Sequence, residues 1–139
     1  MEQLTAKAPT RSSWQRDLAV SHGKVGLALV AQGNAGAAQE EIRAGLEIIA
    51  PLAARDPSNA HCQQDLAELH RESGDAAEAA ADSAGAHEEY EACVAIIDPV
   101  LWRGSTNKKL AELASYCRSH ATAAGNGQGR AEVGRASAP

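Results

Sequence analysis

The chain has 139 residues, enough for one domain, and 44% of them are apolar; much of that fraction is alanine, Phe is absent, and Trp and Tyr number two each. Alanine has the best helix propensity and adds little buried area, so this composition predicts an all-α fold with close helix contacts and a thin core. A net charge of -5 argues against a general nucleic-acid binder, and no apolar run approaches the ~20 residues a membrane span needs.

Residues 1–12, with few apolar anchors, read as a flexible N-terminal arm. Helix one is predicted from about Ser13 to Gln32, with Trp14, Leu18, Val25, Leu29 and Val30 as its buried stripe. Gly26 is the candidate for close approach of a second helix, and Gly33-Asn34 supplies residue types that accept the left-handed backbone of a helix end. Helix two follows from about Ala35 to Ala54 on Ala38, Ile42, Leu46, Ile49 and Leu52. Pro51 predicts a kink or an early end near Ile49, and Asp56-Pro57 a firm stop.

Helix three is predicted from Ser58 or Asn59 to about Ser73, with Cys62, Leu66 and Leu69 inward and Gly74-Asp75 as its turn. Helix four then spans about Ala76 to Ile97, its alanine-rich first half being the weakest helical segment, and Asp98-Pro99 repeats the earlier stop. Helix five is placed at about Ser105 to Ala123 on the stripe Leu110, Leu113, Ala114, Cys117 and Ala121. Residues 122–139, rich in glycine and small residues, read as a disordered tail.

Charge is unevenly spread. Residues 58–97 carry nine acidic groups against Arg71 alone, while basic groups outnumber acidic ones in residues 98–139. Such a distribution suggests pairing within or between chains, against the plainer reading of a solvated face. Cys62, Cys93 and Cys117 lie far apart with no CxxC and read as small hydrophobes of a reducing, cytoplasmic setting, at least one of them free in a monomer. The N-terminus lacks an apolar signal core.

An internal match supports a repeat. Residues 14–26, WQRDLAVSHGKVG, lie over 62–74, CQQDLAELHRESG, at an offset of 48, whereas matching Gly33-Asn34 to Gly74-Asp75 gives 41 and matching Asp56-Pro57 to Asp98-Pro99 gives 42. Units of this length built of two helices point to a helical-hairpin solenoid. The pattern resembles a tetratricopeptide repeat with lengthened helices. Gly26, Leu29, Ala38 and Ile42 fall on the small and bulky positions of that family; Gly74, Ala67, Leu66 and Ala79 fit in the second unit, where His70 and Ser83 depart from it. The resemblance covers residues 13–121, the repeat domain, and ends in a lone first helix. It implies a concave surface that binds a peptide or partner protein, with no catalysis of its own and no cofactor. One subclass of the family grips an acidic C-terminal peptide with cations on its first helices. The corresponding positions here, Gly23, Leu27, Gln64 and Glu68, supply none.

No other chemistry reaches the threshold of a site. His61, Cys62, Asp65 and His70 crowd one helix, yet a metal needs three or four converging ligands, and a core cysteine with surface histidines is the simpler reading. His87-Glu88-Glu89-Tyr90-Glu91 lacks the second histidine of a zinc-peptidase motif. Arg103, Lys108 and Lys109 gather where helix five begins and oppose its dipole, which suggests an anionic partner or the acidic helix four, against the plainer reading of a solvated helix start. The sequence therefore predicts a non-catalytic protein–protein interaction module without metal. Its partner is a protein or peptide, not nucleic acid or membrane, contacted by polar residues of helices one and three: Arg16, His22, Lys24, Gln63, Gln64, His70 and Arg71. The alternative is a self-associating assembly protein, a homo-oligomer, or a fragment of a longer repeat array.

Overall fold

The structure is a computed structural model and describes residues 11–137, with side chains to residue 126. Five helices follow one another with no strand among the described residues: α1 (Arg11–Ala31), α2 (Ala35–Arg55), α3 (Ala60–Ala79), α4 (Ser83–Trp102) and α5 (Lys108–Ser137). Helices α1 and α2 form one hairpin and α3 and α4 a second. Helix α3 packs on both helices of the first hairpin, and α5 packs mainly on α4. This is the all-α, helical-hairpin arrangement that the composition predicts. The N-terminal arm falls on residues outside the description up to residue 10.

The 48-residue offset governs the whole fold. Buried Gly26 meets Ile42 and buried Gly74 meets Tyr90, each pair standing where one helix of a hairpin crosses the other. The turns also correspond. Gly33 has φ +82° and Ala81 has φ 60°; Asn34 then caps α2 by accepting from the Ala37 amide, and Asp82 caps α4 by accepting from the Gly85 amide. The expected turn at Gly74-Asp75 is thus corrected: α3 runs straight through both residues and ends only at Ala79. Gly74 is in a helix because the Tyr90 ring needs its missing side chain, not because the backbone turns there. The alanines at 76 and 77, assigned to helix four by sequence, are buried near the end of α3.

Neither internal proline stops its helix. Pro51 sits inside α2, which continues to Arg55, and Pro99 inside α4, which continues to Trp102. Both are exposed, as are Glu47 and Ala95 one turn earlier, whose carbonyls each ring deprives of a partner. On the exposed outer face those carbonyls are open to donation from solvent water, which reduces the cost of about 3 kcal/mol for a proline in a helix interior.

Two apolar clusters share α3. The first joins Ala19, Ile42, Ile49, Leu52, Cys62 and Leu69; the second joins Tyr90, Cys93, Ile97, Leu110, Ala114 and Cys117. The stripe predicted for the last helix is covered by α4, with Leu110, Leu113, Ala114, Cys117 and Ala121 all buried. Packing extends past the predicted end of that helix, for Ala124 is buried and Gly125 lies against the His87 ring; the remainder of the expected tail falls beyond the described side chains. In α1 the predicted stripe holds at Leu29 and Val30, which pack against the first cluster, and is overturned at its other three positions. Trp14 is 63% exposed, and Leu18 and Val25 also face solvent, while Ala19, Gly23 and Gly26 are buried. Close approach of α2 and α3 selects the small residues of α1 for the contact and turns the large ones outward.

Cys93 and Cys117 form a disulfide between α4 and α5, their Cα atoms 6.3 Å apart, and Cys62 is free and buried. This corrects the reading of all three cysteines as small hydrophobes. Their separation in sequence, 24 residues, carries no signal of pairing. The antiparallel packing of α4 and α5 creates it.

Candidate groove between the first helices

Helices α1, α3 and α5, the first helix of each unit, wall an open groove of about 350 Å³. Lys24 and Leu27 reach it from α1, Glu68, Arg71 and Glu72 from α3, and Glu112 and Tyr116 from α5. A larger but shallower hollow of about 790 Å³ surrounds Trp102, lined almost entirely by α4 and its following turn. The first-helix groove is the better candidate because three elements converge on it and carry its charged side chains.

Of the residues predicted for partner contact, the structure brings Lys24 and Arg71 together on this groove. Arg16 stands beside it, donating through Nε to Asp65 Oδ2 at 2.8 Å. Burial pushes the Asp65 carboxyl up, and the Arg16 hydrogen bond and charge oppose that shift. The others have intramolecular work. His22 Nδ1 lies 2.7 Å from Glu41 on α2, and His70 Nδ1 lies 2.8 Å from Glu89 on α4. These are one clasp repeated, since each pair is separated by 19 residues and the two pairs differ by the repeat length. Gln63 donates to the Ala53 carbonyl, and Gln64 to Glu68 on its own helix. His87, the histidine of the incomplete zinc-peptidase motif, donates to the Ala121 carbonyl at 2.7 Å and holds α5 to α4.

A polar network that sequence reasoning missed stands behind the groove. The Asp75 carboxylate accepts from the hydroxyls of Tyr90 at 2.6 Å and Tyr116 at 2.8 Å, and its other oxygen lies 3.5 Å from Arg71. Arg71 lies over the Tyr116 ring, 5.1 Å from its centre, and the His120 ring stacks on the same tyrosine with 3.7 Å between ring centres. Burial, then the bond to Asp75, raises both phenols, Tyr116 to about 12. The network joins α3, α4 and α5. Its one sequence signal was Asp75 four places after Arg71, and the false turn at Gly74 concealed it.

Glu72 is the exceptional member. It is buried, 7% exposed, and its Oε2 has no hydrogen-bond partner; nor has Arg71 Nε beside it. Burial lifts the Glu72 carboxyl to about 7, with the Arg71 charge as the main opposing influence. The carboxylate occupies a notch over Gly23, where a Cβ would lie 2.5 Å from Oε2 and 2.9 Å from Oε1.

Among the described residues no group of three or more His, Cys, Asp or Glu side chains is placed to hold a metal ion, and no helix is long and apolar enough to cross a membrane. His70 and Asp65, two of the crowded set on α3, turn to separate partners, Glu89 and Arg16. Comparison with protein-family models, curated proteins and solved structures finds no match.

Proposed function

We propose that this chain is a non-catalytic interaction module of the tetratricopeptide-repeat type that binds a peptide or partner protein, rather than nucleic acid or membrane, along the groove between α1, α3 and α5. One observation carries the reading: the first helices of all three units contribute side chains to one open, mixed-charge groove. Stacked hairpins present such a surface as a consequence of their geometry. The test is a groove-filling substitution, Leu27→Trp, at a half-buried wall position. A specific partner captured from host lysate by the wild-type chain is expected to be lost by this variant, with helicity unchanged. Retention of the partner would place binding elsewhere.

The exposed row Trp14, Leu18 and Val25 on α1 favours a second reading, in which the chain self-associates or belongs to a longer array whose neighbouring helix covers that face. Light scattering with and without Trp14→Glu separates self-association from a monomeric module. We place the module in the cytoplasm, where the Cys93–Cys117 pair would be held as a dithiol; alkylation of freshly lysed cells reads that state.

A further inference from the structure

We propose that the groove selects a peptide carrying a lysine or arginine, whose cationic end seats against the Glu72 carboxylate while its aliphatic stem packs on the leucines of the wall. The proposal rests on the interaction-module reading above and specifies its ligand.

Glu72 stands in the groove wall, buried, its Oε2 unpartnered. Ionised there it lacks a donor, a cost of several kcal/mol that it relieves by holding a proton up to about pH 7 and that a cationic ligand would relieve in its place. Neighbouring cations do not complete it. Arg16 is held by Asp65. Arg71 is turned toward Asp75 and the Tyr116 ring. Lys24 is exposed and eases the Glu72 charge only through space. A glutamine or leucine would fill this position at lower cost, so the carboxylate is better explained by a ligand than by the packing of the fold.

The chemistry around Glu72 specifies that ligand. With Asp65 and Arg71 engaged by their own partners, the groove retains the carboxylates of Glu68, Glu72 and Glu112 against the ammonium groups of Lys24 and Lys109. An acidic peptide would add to the surplus, and a basic one reduces it. Leu27, Leu69 and Leu113 supply apolar wall from the three helices, which suits side chains that bury a hydrocarbon stem and end in a charge. An ammonium or guanidinium group brings several N–H donors to one point. To meet them the Glu72 carboxylate must turn out of its notch over Gly23.

The experiment exposes immobilised full-length protein to a positional-scanning pool of octapeptides and identifies those retained by mass spectrometry. Lysine or arginine should be enriched at one position by about tenfold over glutamine, the effect of one desolvated charge-assisted contact. Glu72→Gln, which keeps the shape of the side chain, should bring that position to parity and leave the other preferences intact. Enrichment that survives Glu72→Gln overturns the proposal. Selection of acidic or purely apolar residues also overturns it, while leaving the groove as a binding site. Retention of no peptide at all overturns both the proposal and the module reading.

Discussion

Gly74→Ala tests how the two hairpins are built. A Cβ at residue 74 would lie 2.6 Å from Tyr90 Cε1 and 2.8 Å from its Cδ1 and Cζ, so ordinary contact at about 3.5 Å requires the ring to retreat by about 1 Å. The ring has little room. Tyr90 is fully buried, its hydroxyl donates to Asp75 at 2.6 Å, and its edge meets Tyr116. Alanine gains about 1 kcal/mol over glycine inside a helix, and overpacking a filled core costs about 1–3 kcal/mol. With the ring pinned at both its edge and its hydroxyl, the upper end applies, and the net expectation is destabilisation by about 1–2 kcal/mol. Urea unfolding followed by circular dichroism, under one redox condition, measures it. In a Tyr90→Ala background the obstacle is gone, and the same Gly74→Ala change should stabilise by up to about 1 kcal/mol. If Gly74→Ala stabilises the chain with Tyr90 in place, Gly74 is not a packing notch and the hairpin crossing described above is wrong.

Ala81 holds a left-handed backbone, φ 60°, where the first unit has glycine. Ala81→Gly should therefore raise stability by about 1 kcal/mol, read as a higher urea midpoint; a lower midpoint refutes the assigned turn. Burial raises the Glu72 carboxyl from 4.5 to about 7, so the folded state holds its proton more tightly than the unfolded chain. Stability from this group is present below about pH 4.5 and is lost as pH climbs through about 7, a difference of about 3 kcal/mol. The charged groups around it, Lys24 on α1, Arg71, Glu68 and Asp75 on α3, and Lys109 and Glu112 on α5, are the same in both proteins. Their effects largely cancel when Glu72→Gln is compared with wild type. That variant should match wild type near pH 4.5 and exceed it at pH 8, and parallel profiles would contradict the burial of an ionised carboxylate. Reduction of Cys93–Cys117 opens a loop of 24 residues and should lower stability by about 3 kcal/mol. Thiol titration in denaturant should rise from one group to three on reduction, and three groups without reductant would exclude the bond.

Much of the helical content was legible because local physics carries it. Alanine-rich segments with spaced apolar residues form helices regardless of where they pack, and each of the five predicted helices lies on an observed one over most of its predicted length. The second turn was not legible. Glycine and Gly-Asp are strong turn signals, and they stood at residues 74 and 75, whereas the chain turns at Ala81 under strain that alanine resists. The 48-residue match between residues 14–26 and 62–74 already held the correct register, and carrying it forward from Gly33 places the turn at 81. Of the groove, Lys24 and Arg71 were legible as polar residues on first helices. Glu72 was not, because a glutamate among many on an acidic helix is distinguished only by the burial that Gly23 permits.

From its own composition and periodicity this sequence determined an all-α chain of paired helices, since propensity and apolar spacing act within a few residues of each position. Tertiary structure alone decided which side of α1 is inside. The amphipathic pattern favoured Trp14, Leu18 and Val25, but helices that approach closely exclude large side chains, so Ala19, Gly23 and Gly26 took the contact. It also decided that Cys93 meets Cys117, that Asp75 serves two tyrosines, and that Glu72 is left with a buried carboxylate lacking a donor. Each of these depends on distances between residues far apart in the chain, which are set by how the helices cross.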